Sequence, residues 1–209
     1  LGRGRGGLEI ASASTIGSSQ TATVYGPSMN TTLRTGLVGW WTFDGADTNA
    51  TQALDKSGQG NTGTRVGSTT LTAGKIGQGI KTSGSAGNYV TITPIDVSNG
   101  ISYSLWFKLN GTPSDWNLIS NRGTLLRVVS LTTFGWFANV AFGQPVVTVP
   151  AMGLNKWHQV VVMQTGTIYN LYLDGIRRGG ATTDALLTSD VSDAILAYSG
   201  VSNFNGSID

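Results

Sequence analysis

The stretch Asn155–Gly175, NKWHQVVVMQTGTIYNLYLDG, decides the fold. It holds two apolar runs of strand length, Gln159–Gln164 and Ile168–Leu173, joined by a short polar link. The second run alternates, which predicts a strand with one buried face. Asp174–Gly175 then predicts a tight hairpin turn, because a type I′ turn needs positive φ at both central residues. The stretch therefore predicts a three-stranded antiparallel meander that ends with Ile176–Gly179.

Further strand-like runs, separated by turn signals, fill the region around this meander. Leu37–Phe43 predicts the first core strand, and Ile101–Leu109 alternates so that its odd-numbered residues face inward. Other strands are expected at 74–81, 88–93, 118–120, 125–131, 134–142, 146–149, 194–198 and 204–209. One helical turn is expected at 184–188. Roughly a dozen short strands predict an all-β protein, an antiparallel β-sandwich of the jelly-roll kind.

The composition changes near Gly36. Residues 1–35 are rich in Gly, Ser and Thr, with sparse apolar residues. This composition is typical of a linker, or of an extended arm with β-capable pieces such as Thr21–Tyr25. Residues 36–209 carry the strand pattern and are long enough to bury a core. We therefore expect an N-terminal arm, 1–35, followed by one folded domain, 36–209.

The composition also argues against several classes of function. The chain has no cysteine, which removes disulfides and thiolate metal sites. A net charge of +2 is too small for a nucleic-acid footprint. No run approaches the ~18 apolar residues of a membrane helix. Only 11% of the residues are charged, and such a polar but uncharged surface favours an extracellular or cell-surface protein.

Candidate catalytic residues are few. Glycoside hydrolysis needs two carboxyl groups across the scissile bond, and the single glutamate, Glu9, lies in the arm. No predicted strand carries two acids at i, i+2 spacing, so a glycoside hydrolase is a remote alternative. The single histidine, His158, follows Trp157 at a strand start, where we expect it to be packed and hydrogen-bonded. The sequence thus predicts a protein that is not an enzyme.

Six segments together resemble one protein family. In this order they are similar to the laminin-G-like, concanavalin-A-like jelly-roll domains of bacterial extracellular proteins, over residues 36–209. The resemblance implies two antiparallel sheets, often a structural calcium ion, and binding or adhesion more often than catalysis. The segments are Gly36–Gly45 (GLVGWWTFDG), Asp55–Gly63 (DKSGQGNTG), Gly74–Gly79 (GKIGQG) with Tyr89–Val90, Ile101–Leu109 (ISYSLWFKL), Asn155–Gly175 and Phe204–Asp209 (FNGSID).

Two features depart from the family pattern. Thr82–Asn88 lacks the acids that the family usually has before its Tyr-Val strand. The family pattern also continues past FNGSID into another core strand, whereas this sequence stops at Asp209, so the final family strand is absent. Either the sequence leaves out residues that follow, or another segment fills the place of that strand.

The resemblance also implies a calcium site. In the family fold the N- and C-terminal strands run side by side, which would bring Asp44 and Asp209 together. Asp55, with Ser57 or Asn61 and turn carbonyls, would complete the shell of six to eight oxygens that Ca²⁺ takes. The alternative is that Asp44 and Asp55 only form Asx turns.

Two functions follow from these observations. The first is a non-catalytic recognition or adhesion module of a cell-surface protein, which binds a glycan or an extracellular protein. Trp116 and Trp136 have polar or Gly neighbours and are the candidate rings for stacking on a sugar, with packing inside the sandwich as the alternative. The second is a structural subunit of a surface filament or layer. There, residues 1–35 of one copy would add a strand to an open sheet edge of the next.

Overall fold

The computed structural model describes residues 35–93, 95–96, 100–121, 124–138, 146–182, 193–194 and 204–209. Within these residues the chain forms fifteen β-strands and no helix. Residues 1–34 and the predicted helical turn at 184–188 lie outside them, and the domain boundary at Gly36 stays a prediction. The strands are β1 (Gln52–Ala53), β2 (Gly63–Val66), β3 (Thr70–Ala73), β4 (Gln78–Ser83), β5 (Tyr89–Ile92), β6 (Ile101–Leu109), β7 (Trp116–Asn121), β8 (Thr124–Ser130), β9 (Thr133–Ala138), β10 (Val146–Thr148), β11 (Trp157–Thr165), β12 (Ile168–Leu173), β13 (Ile176–Thr182), β14 (Asp193–Ala194) and β15 (Asn205–Ile208).

The strands form two antiparallel sheets. One has eight strands in the order β1-β2-β5-β14-β7-β8-β9-β10, and the other has seven in the order β13-β12-β11-β6-β15-β4-β3. Apolar side chains of the two sheets pack between them; the rings of Phe107 and Phe134 meet edge to face with centroids 5.6 Å apart. The predicted all-β antiparallel sandwich is therefore confirmed. No helix among the described residues is long and apolar enough to cross a bilayer.

The predicted meander is present as β11, β12 and β13, which pair in sequence order. Asp174 and Gly175 have φ values of +52° and +77°, as a type I′ turn requires at its central positions. Tyr169, Leu171 and Leu173 are buried together, so the predicted alternation of β12 is also confirmed.

The predicted first core strand at Leu37–Phe43 is wrong, because none of these residues lies in a strand. The backbone here bonds to a loop: the N–H of Trp40 donates to the Asp55 carboxylate, and its carbonyl accepts from the N–H of Lys56. Phe43 has a φ of +54°, which turns the chain out of an extended path. The apolar pattern marks residues that pack on the core, but a strand also needs a neighbouring strand to pair with.

Among the described strands, the partners of β6 fill one of its edges and only part of the other. β11 pairs with nearly its whole length on one side. On the other side β15 reaches Phe107, and two backbone hydrogen bonds between Trp106 and Asp209 extend the pairing by one step. Among the strands that the structure describes, none pairs with this second edge over Ile101–Leu105. A cavity of about 570 Å³ adjoins it, lined by residues 37–44 and by side chains from both faces of β6.

Candidate ligand-binding face

The structure gives the two predicted ligand-binding tryptophans different environments. Trp136 is fully buried, and its indole N–H donates to the side-chain oxygen of Gln164 at 2.7 Å. The prediction that Trp136 binds a ligand is wrong, because its position on β9 faces the core of the sandwich. Trp116 is partly buried and packs edge to face on Phe204, with centroids 6.1 Å apart. This packing buries part of the Trp116 ring, and the role of the remaining surface in binding stays a prediction.

Two other tryptophans lie on the outer face of the seven-stranded sheet. Trp106 lies between two buried residues of β6, so the alternation of the strand turns its ring outward. In the pairing of β6 with β11, Trp106 lies opposite Gln159, and Trp157 lies opposite Lys108. The two tryptophans are therefore diagonal neighbours, with Cα atoms about 7–8 Å apart in such a ladder.

A lysine lies over each of these rings. The Nζ atom of Lys75 is 5.0 Å from the ring centre of Trp106, and that of Lys108 is 4.9 Å from the ring centre of Trp157. Both rings are half-buried, so each keeps part of its surface open to solvent. Such rings offer an apolar surface for stacking, and the neighbouring cations and amide can bind polar groups. We call this set the Trp106–Trp157 face: Trp106, Trp157, Lys75, Lys108 and Gln159.

Two predicted calcium ligands meet beside Trp106. The Asp209 carboxylate accepts the N–H of Ile76 at 2.6 Å, and the Asp44 carboxylate accepts the N–H of Gln78 at 2.8 Å. Both carboxylates thus lie against the same glycine-rich turn. Burial raises the pKa of Asp209 and the charge of Asp44 adds to this effect, while the backbone donors of the turn partly offset it.

The other predicted calcium ligands form a separate turn. Asp55 accepts the backbone N–H groups of Trp40, Ser57 and Asn61 at 2.8–2.9 Å, and the hydroxyl of Ser57 at 2.7 Å. Burial raises the pKa of Asp55, but these hydrogen bonds outweigh it and hold the pKa below its usual value. The carboxylate is already saturated with donors, as in an Asx turn. Across the described part of the chain, no group of three or more His, Cys, Asp or Glu side chains is arranged to hold a metal ion.

His158 is packed and hydrogen-bonded, as expected. Its Nδ1 atom lies 2.8 Å from a carboxylate oxygen of Asp174, and its ring lies 5.9 Å from that of Phe107. Asp174 also accepts the N–H of Gln159 at 2.9 Å. The pair joins the start of β11 to the Asp-Gly turn, and so holds the strand end that carries Trp157.

The sequence matches a known family. A profile of the laminin G-like group within the concanavalin A-like lectin/glucanases superfamily matches residues 83–209, more than half of the chain. The chain belongs to this family. The resemblance drawn from the six motifs is therefore confirmed. A search among curated proteins found no match to this laminin G-like chain.

Solved structures share the fold at low sequence identity. The binding domain of Paraclostridial Mosquitocidal Protein 1 is 14% identical with a TM-score of 0.65, over 84% of this chain and 47% of that one. Domain 4 of AbnA, a GH43 extracellular arabinanase from Geobacillus stearothermophilus in complex with arabinotriose, is 17% identical with a TM-score of 0.61, over 82% and 88%. The binding domain of Botulinum Neurotoxin DC in complex with SialylT is 16% identical with a TM-score of 0.58, over 78% and 46%. The chain thus spans about half the length of the two toxin domains, and such identities show the fold alone.

Sequence reasoning missed Trp106 and Trp157, although part of the signal was present. If the odd-numbered residues of Ile101–Leu109 face inward, Trp106 must face outward. The proximity of Trp157 is different, because it depends on the register between β6 and β11. The sequence of either strand alone does not determine this register.

We expect the Asp55 turn to make stability depend on pH. Asp55→Ala should lower the free energy of unfolding by roughly 1–3 kcal/mol at pH 7, because several donors lose a charged acceptor. The pKa of Asp55 is lower in the folded chain than in the unfolded chain. Its contribution is therefore complete above the unfolded pKa of ~3.9 and is lost as the pH falls through the folded pKa.

Urea denaturation of the variant and the parent chain at pH 7 and at about pH 2 measures this effect. The difference between them should shrink at the lower pH. Asp115→Asn is the control, because it removes an exposed carboxylate that lies 3.5 Å from Arg127 in a weak surface ion pair. It should change the free energy of unfolding little at either pH. If Asp55→Ala lowers the free energy of unfolding equally at both pH values, the lowered pKa of Asp55 in the folded chain is contradicted.

Proposed function

We propose that this laminin G-like chain is a non-catalytic recognition domain of an extracellular or cell-surface protein, and that it binds a glycan through the Trp106–Trp157 face. The observation that carries the proposal is the pair of half-buried indole rings on adjacent strands, each beneath a lysine. A sugar ring has an apolar C–H face that stacks on an indole ring, and hydroxyls that bond to amides. The face offers both kinds of contact within one patch.

The comparisons support a carbohydrate as the ligand class. The family is part of a superfamily named for lectins and glucanases, and two solved structures with this fold carry arabinotriose and SialylT. The acids near the face do not resemble a hydrolytic pair. Asp209 and Asp44 each accept a backbone N–H of the neighbouring turn, and Asp174 is bonded to His158. Recognition is therefore a better description of this face than glycoside hydrolysis.

Alanine substitutions at the two rings test the proposal. A glycan array identifies a ligand, and calorimetry then measures its affinity for each variant. Trp106→Ala and Trp157→Ala should each weaken binding at least about tenfold, or ~1.4 kcal/mol, because aromatic anchors dominate such contacts. Trp157→Phe should keep more of the affinity than Trp157→Ala.

Ile176→Ala is the matched control for these substitutions. Ile176 is a large apolar residue that is 55% exposed, and it lies on the first position of β13, three strands from the strand of Trp106. It should leave the affinity unchanged. Unaltered binding by a folded Trp106→Ala, Trp157→Ala double variant would contradict the proposal. Binding to an extracellular protein but to no glycan would indicate the other partner class.

We also propose a calcium ion at Asp44 and Asp209, which is supported by the position of both carboxylates against the same turn. Asp55 does not fit, because its oxygens already accept four donors. Calcium at Asp44 and Asp209 should raise the melting temperature, since a ligand that binds only the folded chain stabilises it. Asp44→Asn should abolish the shift and Asp55→Asn should retain it. Equal melting temperatures in about 1 mM CaCl₂ and in EDTA would contradict the proposal.

A second function, a subunit of a surface filament or layer, is favoured by the edge of β6 over Ile101–Leu105, with which none of the described strands pairs and which we call the open edge. Trp106 bonds to Asp209 across that edge, and backbone groups two residues apart in a strand point the same way. The N–H and C=O groups of Ser104 and Ser102 therefore face the open edge. An extended segment from residues 1–35 of another copy would supply their partners.

Deletion of residues 1–35 tests the exchange of strands. Light scattering should show assemblies for the full chain and monomers for the chain without the arm. Ser104→Pro supplies an independent check, because it removes a backbone donor that faces the open edge and spares the backbone pairing with β11; of the side-chain contacts with β11 it removes the 3.5 Å hydrogen bond from Gln159 to the Ser104 hydroxyl. It should reduce assembly in the full chain. Assemblies that survive both changes would contradict strand exchange at this edge.

A further inference from the structure

A row of side chains crosses the outer face of the seven-stranded sheet next to Trp157. The register places Ser207 of β15 between Lys81 of β4 and Lys108 of β6, and Lys108 lies opposite Trp157 of β11. Residues that lie opposite one another in antiparallel strands share a face, with Cα atoms about 4.5–5.5 Å apart. The four side chains therefore form one continuous strip, which we call the lysine row: Lys81, Ser207, Lys108 and Trp157.

The hydroxyl of Ser207 lies in this row without a partner. The residue is only 1% exposed, and among the described residues its Oγ atom has no hydrogen-bond partner. A hydroxyl carries one donor and two acceptor positions, and burial without a partner is unfavourable. The lysines on either side have long flexible stems that can move while their ammonium groups stay in water. A ligand atom that enters between them would supply the acceptor that Ser207 lacks.

The two lysines of the row also lack opposite charges. Within the described ranges, no carboxylate forms an ion pair with Lys81 or Lys108, whereas Lys56 pairs with Asp47 at 2.8 Å. The ammonium group of Lys108 lies over the Trp157 ring instead. The acids of this region are otherwise engaged: Asp209 bonds to the turn beside Trp106, and Asp174 bonds to His158. The lysine row is thus a positively charged part of the outer face of this sheet, and the nearby carboxylates lie outside the row.

We propose that the lysine row makes this chain select an acidic glycan. The sugar ring stacks on Trp157, and its carboxylate or sulfate lies between Lys81 and Lys108 and accepts the hydroxyl of Ser207. Lys108 then exchanges its contact with the indole ring for a charge-assisted hydrogen bond, which is the stronger interaction. This inference rests on the proposed glycan binding and narrows the ligand to sugars that carry an anionic group.

The test compares matched acidic and neutral ligands. Tetragalacturonate and its methyl ester have the same sugar rings and differ in charge. Calorimetry in low salt should show at least tenfold tighter binding of the acid, and this preference should shrink in ~0.3 M NaCl because salt screens exposed charges. Sialyllactose against lactose, and a sulfated tetrasaccharide against its unsulfated form, distinguish a sialate or a sulfate ester from a uronate as the source of the negative charge.

Three variants connect the preference to the row. Lys81→Met and Lys108→Met keep the apolar stems and remove the charges, so each should reduce the preference for the acid at least threefold. Lys81 lies outside the Trp106–Trp157 face, so Lys81→Met should bind the ester as before. Ser207→Ala should weaken binding of the acid and leave binding of the ester unchanged. Lys56→Met removes the same charge from a distant loop and should preserve the preference. Urea denaturation checks that each variant is folded.

The outcomes separate this inference from the proposed function. If the acid and the ester bind equally, and Trp157→Ala weakens both, glycan recognition stands and the acidic preference is overturned. A preference that persists in the Lys81→Met, Lys108→Met double variant also overturns it. If no acidic probe binds while the array shows a neutral ligand, the inference fails alone. Failure of every acidic and neutral glycan overturns both proposals.

Discussion

The pairing of β6 is the constraint on which the rest of the structure depends. Its inward residues, Leu105, Phe107 and Leu109, are buried in the core between the sheets. Its register with β11 brings Trp106 and Trp157 together on the outer face, and its register with β15 places Ser207 beside Lys108. A shift of one residue would exchange the two faces of the strand and expose the core. Burial of the core therefore fixes the arrangement of the face.

Local patterns in the sequence predicted those parts of the fold that depend on neighbouring residues. The Asp174–Gly175 turn and the alternation of Ile101–Leu109 need only backbone preference and burial, and the structure has both. Leu37–Phe43 has an equally apolar pattern, yet forms no strand, because a strand also needs a neighbour along its edge. The local sequence pattern does not show which strand edges are already paired. The prediction of a strand at Leu37–Phe43 depended on such a neighbour and failed for this reason.

The candidate site was predicted less well than the fold, for a related physical reason. Flanking polar residues and Gly suggested an exposed ring at Trp136, but its position on β9 faces inward and Gln164 satisfies its indole N–H. Exposure is a property of the packed sheets and does not follow from adjacent residues. The family resemblance did bring Asp44 and Asp209 to one turn, while Asp55 bonds its own turn. Motif order thus predicted which segments lie together, while the calcium site itself stays a prediction.

The features of the Trp106–Trp157 face are hard to explain by folding stability. Half-buried indole rings bury less apolar surface than they would in the core, and lysines with no ion pair among the described residues add repulsion to a chain with a net charge of +2. The buried hydroxyl of Ser207, which has no hydrogen-bond partner in the part of the chain that the structure describes, is unfavourable as well. Folding alone would favour an aliphatic residue or a carboxylate at such positions. Local features that oppose stability concentrate where a protein binds its ligand, and here they lie in one strip across four adjacent strands.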